Sequence, residues 1–144
     1  MIGLPYSCCG VLAAAMTFNK YTCNHYLKGL GVRVAESLLL RKSDYQYHIS
    51  DTQYPIANIL TQIGLPCFIK TNVGGSSFGV TKVKTEDEVE PAIAKAFAEG
   101  GEVICEAYRK GVEITCGAYK TKEKAVAFPI TEVVTSNEFF DYDA

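Results

Sequence analysis

Residues 85–119 read TEDEVEPAIAKAFAEGGEVICEAYRKGVEITCGAY, and this stretch decides the fold class. Thr85-Glu86-Asp87-Glu88 is a capping box, in which hydroxyl and carboxylate exchange hydrogen bonds with backbone N–H groups at a helix start. Val89, Ile93 and Phe97 follow at i, i+4 and i+8 with Ala92 and Ala96 beside them, the spacing of one helix face. Gly100-Gly101 stops that helix. Three apolar runs then predict strands at 102–108, 112–119 and 124–134, the first two joined as a hairpin by Arg109-Lys110-Gly111. Working back toward the N-terminus, Val80–Lys84 alternates as a strand, 72–79 is a glycine- and serine-rich loop, and Cys67–Lys70 is a short apolar strand. Asp51 is a candidate N-cap for a helix through Ile63, with Pro55 in its first turn. Ser43–Ser50 shows no clear period and reads as a loop or a short turn of helix. Glu36–Leu40 reads as a strand, and Val11–Met16 and Phe18–Lys28 as helices, the second ended by Gly29 and Gly31. The pattern predicts an α+β fold, mainly an antiparallel sheet packed against helices.

Composition narrows the classes of function. The chain has 144 residues, 14 Lys+Arg against 16 Asp+Glu, 48% hydrophobic and 21% charged residues. That is enough apolar material for a core without staples, and too much for a disordered chain. A net charge of −2 gives no electrostatic reason to expect nucleic acid. The longest apolar stretch, Val11–Met16, falls far short of a bilayer crossing, and no stretch reads as a signal peptide, so a cytoplasmic protein without membrane partner is expected. Six cysteines are present: Cys8, Cys9, Cys23, Cys67, Cys105 and Cys116. Cys67, Cys105 and Cys116 lie in apolar β-like runs and are predicted to be small buried hydrophobes, all six being reduced. No pair has CxxC spacing and Cys23-Asn24-His25 is too little for zinc, so no metal ligand is assigned.

Three groups of residues could carry chemistry. Lys70 precedes Gly74-Gly75-Ser76-Ser77-Phe78-Gly79. Such a loop brings N–H and hydroxyl donors close to phosphate, with a lysine charge on the preceding strand. It is neither a Walker A loop nor a dinucleotide turn, because Gly-Lys-Ser/Thr is missing and a strand follows. A plain hairpin loop is the competing reading. Glu106 and Glu113 flank the predicted hairpin turn and could accept from an amino group or ribose, or simply be solvated strand-edge carboxylates. Lys20 opens an amphipathic helix and by default is a surface lysine. His25 and His48 have no partner at an informative spacing and are read as structural or exposed.

Taken in order, GLPYSCCGVLAAAMTFNK, GLPCFIKTNVGGSSFGVTKV, EVICEAYRKGVEITCG and NEFFDYDA resemble the middle of the bacterial D-alanine–D-alanine ligases, which are ATP-grasp enzymes. The resemblance runs over essentially the whole chain. It implies that Lys20 and Lys70 contact ATP phosphates, that Glu106-Ala107-Tyr108-Arg109 meets the adenine edge, that Glu113 takes the ribose and that Phe139 packs on adenine. Gly75-Ser76-Ser77 would lie in the phosphate-covering loop, with Ser76 the catalytic-site serine that holds the D-alanine site closed. ATP and magnesium are the implied cofactors, D-alanine the substrate, an acyl phosphate the intermediate, and a homodimer the implied state of the parent enzyme.

The sequence departs from the family pattern at Thr71, where proline is usual, and at Asn19, where aspartate often precedes the lysine. The resemblance further implies an internal piece of a longer enzyme. Residues 1–31 would be a helical segment entering the ATP-grasp region and 32–144 its first subdomain, one compact domain overall. The N-terminal substrate domain, the catalytic tyrosine and the magnesium ligands would lie outside these residues, Met1 would be an internal methionine, and the piece alone is not expected to turn over. Three rivals remain. One is another ATP-grasp carboxylate–amine ligase, such as a D-alanine–D-lactate ligase. The second is a non-catalytic nucleotide-binding or interaction module, and the third a bare structural piece with no ligand.

Overall fold

Strand β4, Glu102–Ala107, has both edges occupied. In the computed structural model, which describes residues 7–43, 53–75 and 79–135, it lies between β1 (Ser37–Arg41) and β2 (Cys67–Thr71), and β3 (Thr81–Val83) closes the far edge. All three pairings are antiparallel. The register sets Leu38 and Ile69 on either side of Cys105, and Leu39 and Lys70 on either side of Ile104. Because side chains alternate along a strand, this fixes two faces. One carries Leu38, Leu40, Cys67, Ile69, Val103 and Cys105 into the core. The other carries Phe68, Lys70, Ile104 and Glu106.

The core face is covered by α4 (Val89–Glu99), which follows a single 3-10 turn at Glu86–Glu88. The capping box forms as the sequence predicts, with the Glu88 carboxylate accepting from the backbone N–H of Thr85 at 3.3 Å and of Lys84 at 2.6 Å. Val89, Ala92, Ile93, Ala96 and Phe97 are the buried residues of α4 and lie against β2, β3 and β4. Ile59, Ile63 and Leu65 complete the core from α3 (Gln53–Asn58), whose last turn widens to a π-helix over Ile59–Ile63. Gly64, at φ 76°, ends it by donating its N–H to Ile59 O at 2.9 Å. Pro55 falls in the first turn of α3, while its candidate cap Asp51 lies outside the described residues, as do 44–50 of the expected loop.

Helices α1 (Val11–Phe18) and α2 (Lys20–Gly29) meet at Asn19. The expected helix from Phe18 starts two residues later, because Asn19 is extended and caps α2, accepting from Thr22 N at 2.9 Å. Asn19 also bridges to Val73, just beyond β2.

The chain divides into two compact units, Met1–Tyr108 and Arg109–Ala144. Everything above belongs to the first. The second holds two small antiparallel pairs, β5 (Glu113–Thr115) with β8 (Thr131–Val133) and β6 (Ala118–Lys120) with β7 (Ala125–Ala127). Here the sequence reading is corrected in three ways. The expected strand 112–119 is two strands, broken around Gly117, where a Cβ would come within 3.0 Å of the Phe128 ring. The expected strand 124–134 is also two, separated at Pro129, which has no N–H for a ladder. The hairpin of 102–108 with 112–119 does not form: β4 already has a neighbour on each edge, and β5 pairs with β8. Cys116, expected to be buried, is exposed, its thiol donating to Phe128 O at 3.1 Å. Cys67 and Cys105 are buried as expected, and all six cysteines are free thiols.

Candidate functional site

On the face of the sheet opposite α4, β2 presents Lys70 and β4 presents Glu106, and Asn24 of α2 reaches Glu106. Lys70 Nζ and Glu106 Oε2 form an ion pair of 2.5 Å, with the two side chains 23% and 14% exposed. That corrects the strand-edge reading of Glu106, which sits on a central strand and is paired. Its other oxygen, Oε1, accepts from Asn24 Nδ2 at 2.7 Å. A half-buried carboxylate held on both oxygens has one orientation, and charge-assisted bonds of this kind are the stronger ones.

Lys20 is half-buried, not a surface lysine. Its backbone N–H donates to Asn72 O at 3.1 Å. Its Nζ donates to Thr71 O at 3.1 Å, Asn72 O at 3.4 Å and Gly74 O at 2.9 Å, three acceptors for the three donors of an ammonium. Burial, and after it the Lys70 ammonium, hold the Lys20 amine below its ordinary 10.5, with Glu106 acting the other way. Two lysines whose charges oppose each other beside one carboxylate leave an excess of positive charge, and an anionic group entering there relieves the repulsion. Both ammonium groups are already engaged, Lys70 by Glu106 and Lys20 by three carbonyls, so what the cluster offers an anion is charge, and a direct hydrogen bond would have to replace one of these contacts. Among the described residues no group of three or more His, Cys, Asp or Glu could hold a metal ion.

Gly75 is exposed, while Ser76, Ser77 and Phe139 lie outside the described residues. In the 106–109 stretch, Ala107 is buried and its N–H donates to Glu36 O at 2.9 Å, and the N–H of Tyr108 donates to Pro66 O at 3.2 Å. Backbone donation from these two residues to a ligand would require breaking those bonds. The Tyr108 ring lies 6.1 Å from that of Phe68, with Lys82 Nζ 4.1 Å above it. Arg109 and Glu113 belong to the second unit, where both are exposed. Of the expected residues, the structure thus brings together Lys20, Lys70 and Glu106. His25 is exposed, its ring 4.1 Å from that of Tyr21, and His48 lies outside the described residues.

Sequence reasoning missed two residues of this cluster. Asn24 stands four residues after Lys20 on one face of α2, a spacing that could have suggested a shared target. Asn72 reads as an ordinary loop asparagine, and nothing in its neighbourhood announces that it is fully buried.

An antiparallel sheet with helices on one face and a lysine-bearing cluster on the other is an α+β arrangement, and solved structures of the ATP-grasp type share it. A D-alanyl-alanine synthetase A from Vibrio cholerae superposes with a TM-score of 0.79 at 30% identity, over 99% of this chain and 42% of that one. VanG D-Ala:D-Ser ligase from Enterococcus faecalis also gives 0.79, at 28% identity over 93% of this chain and 37% of that one. The family model described as D-ala D-ala ligase C-terminus matches residues 26–144, and the chain belongs to that family. D-alanine–D-alanine ligases of Bacteroides fragilis and Porphyromonas gingivalis are 63% and 48% identical to it over all 144 residues. The chain spans 42% of the length of each. Among the described residues no helix is long and apolar enough to cross a membrane.

Proposed function

We propose that the chain is the ATP-binding part of a D-alanine–D-alanine ligase, a cytoplasmic enzyme that makes the dipeptide for peptidoglycan and works as a homodimer in its full-length form. The observation that carries this reading is the convergence of Lys20 and Lys70 on one sheet face beside Glu106. Bound ATP, with its magnesium, supplies the phosphoryl group that activates one D-alanine carboxylate for attack by the amino group of a second. In this reading the chain's own residues position and neutralise. Lys70, oriented by Glu106, and Lys20, set beside the root of the glycine loop, offer charge to the phosphates. Phosphoryl transfer depends mainly on such positioning and electrostatic stabilisation. Gly75, Ser76 and Ser77 would cover the phosphates, Ser76 would close the D-alanine site, the 106–109 segment and Phe139 would hold adenine, and Glu113 the ribose.

The likeness to VanG favours a second reading for the acceptor, D-serine, with D-lactate as the further alternative. The test has two arms. ATP titrated into this chain should perturb the resonances of Lys20, Lys70 and 106–108 with affinity in about the high micromolar to millimolar range, since part of the cleft is contributed by other sequence. No perturbation at millimolar ATP overturns the nucleotide reading. A polypeptide of the relatives' full length should release phosphate in the presence of D-alanine and lose that release with Lys70→Ala. Release dependent on D-serine or D-lactate in addition to D-alanine would move the assignment to the corresponding ligase.

A further inference from the structure

We propose that Asn72 is a positioning residue that sets Lys20, and with it the spacing of the two lysines, by tying the first turn of α2 to the end of β2. The proposal deepens the nucleotide reading and rests on it for its functional meaning. Asn72 is fully buried, and every polar atom of its side chain is used. Oδ1 accepts from Tyr21 N at 2.9 Å, and Nδ2 donates to Glu102 Oε2 at 2.7 Å. Its main chain adds two bonds, N–H to Glu102 O at 2.9 Å and O from Lys20 N at 3.1 Å. Glu102 in turn is held by Arg41, whose Nε reaches Oε1 at 3.3 Å. One residue therefore joins β2, β4 and α2, with β1 behind them.

The consequence falls on the helix start. The first N–H groups of a helix have no partner within it. In α2 those of Lys20 and Tyr21 go to Asn72 and that of Thr22 goes to Asn19. These first-turn donors are thus spent inside the protein, and what α2 offers an anion here is the charge of the Lys20 ammonium, whose own donors rest on carbonyls. With the backbone of Lys20 and Tyr21 pinned to Asn72, Nζ is delivered onto the carbonyls of Thr71, Asn72 and Gly74. An apolar residue at 72 would remove the acceptor of Tyr21 N and the donor to Glu102 together, and the first turn of α2 would lose its fixed point.

Three measurements on this 144-residue chain test it. Amide exchange in the unaltered protein should show the Tyr21 N–H slowed at least about a hundredfold, which a first-turn amide facing water would not be. An unprotected Tyr21 amide overturns the proposal whatever any variant does. Acetylation with acetic anhydride, read by mass spectrometry, should then compare Lys20 with the exposed Lys110. Asn72→Ala should speed labelling of Lys20 by about tenfold, the scale of one lost buried hydrogen bond, while Lys110 is unchanged and β4 amides stay protected. Glu102→Gln keeps an acceptor for Asn72 Nδ2 and should label Lys20 as the wild type does, whereas Glu102→Ala should behave like Asn72→Ala. Unchanged Lys20 labelling in Asn72→Ala, or equal acceleration at every lysine and every β4 amide, overturns the positioning role. ATP affinity should fall about tenfold in Asn72→Ala, in step with Lys20 labelling. If the wild type binds no ATP while Lys20 labelling still follows Asn72, the positioning stands and the nucleotide reading falls.

Discussion

Lys20 and Lys70 share one carboxylate, Glu106, and the Lys70 charge adds to burial in holding the Lys20 amine down. At the same scale the thiols divide cleanly. Cys8, Cys9 and Cys116 are exposed, whereas Cys67 and Cys105 are buried. A thiol titration of native protein should therefore show three fast groups, Cys23 intermediate, and two that react only on unfolding; denatured, unreduced protein should yield all six. Fewer than six, restored by reductant, would contradict the reduced state. Burial also pushes the Cys67 thiol up to about 11 and raises that of Cys105 further, from an ordinary 9.0. The unfolded chain then ionises its thiols first, so it binds fewer protons than the native state above pH 9, and stability is lost as pH rises through that window. Lys20 works the opposite way, because its lowered value penalises the native state at lower pH and that penalty lifts as pH approaches 10.5. Two fully buried thiols outweigh one half-buried lysine. The free energy of unfolding in urea should drop between pH 8 and 10.5, and Cys105→Ala should lessen that drop. A flat profile would contradict the burial of both.

The elements most visible in the sequence are those whose local signals and packing agree. Helix α4 has a capping box before it, an apolar face at i, i+4 and i+8, and a glycine after it. Thr85→Ala should cost about 1 kcal/mol and Ile93→Ala about 2–5 kcal/mol in chemical denaturation. Gly100 has a further reason to be glycine. Its backbone is extended, which any residue adopts, yet a Cβ there would meet Thr71 Oγ1 at 2.7 Å. That hydroxyl is itself buried and donates to Val73 O at 2.9 Å. Gly100→Ala should therefore cost about 1–3 kcal/mol as an overpacked site; a neutral effect would mean that the end of β2 yields easily. Where the elements were misread, in 112–134, runs of apolar residues suggested long strands. Pro129 and the close packing at Gly117 divide them, and apolar content alone carries no information about pairing partner.

For the molecule as a whole, the buried core of the described residues lies entirely within Met1–Tyr108. In native-state hydrogen exchange the amides of β2 and β4 should exchange slowest and those of 113–133 fastest, because opening free energy follows buried contact. Limited proteolysis should cut first within 109–135. Protection in that region equal to β4 would show a stability of its own that its exposed strands do not suggest. These 144 residues are also expected to bind ATP without D-alanine-dependent phosphate release above a protein-free blank. Release by these 144 residues alone would mean that the reaction needs less than the resemblance implies.

The sequence alone determined the class of the protein and the position of most elements. A capping box, a 3.6-residue period and glycine stops act within a few residues of chain, and a resemblance spread over several motifs in order is specific without coordinates. Only the tertiary structure decided which residues make the site. That Glu106 is ion-paired on a central strand follows from β4 having β1 on one edge and β2 on the other. That Lys20 is half-buried on the carbonyls of 71, 72 and 74, and that Asn72 is a buried junction, depend on contacts across about fifty residues of chain. Local spacing has no means of recording such contacts, because they exist only once β2, β4 and α2 are packed together.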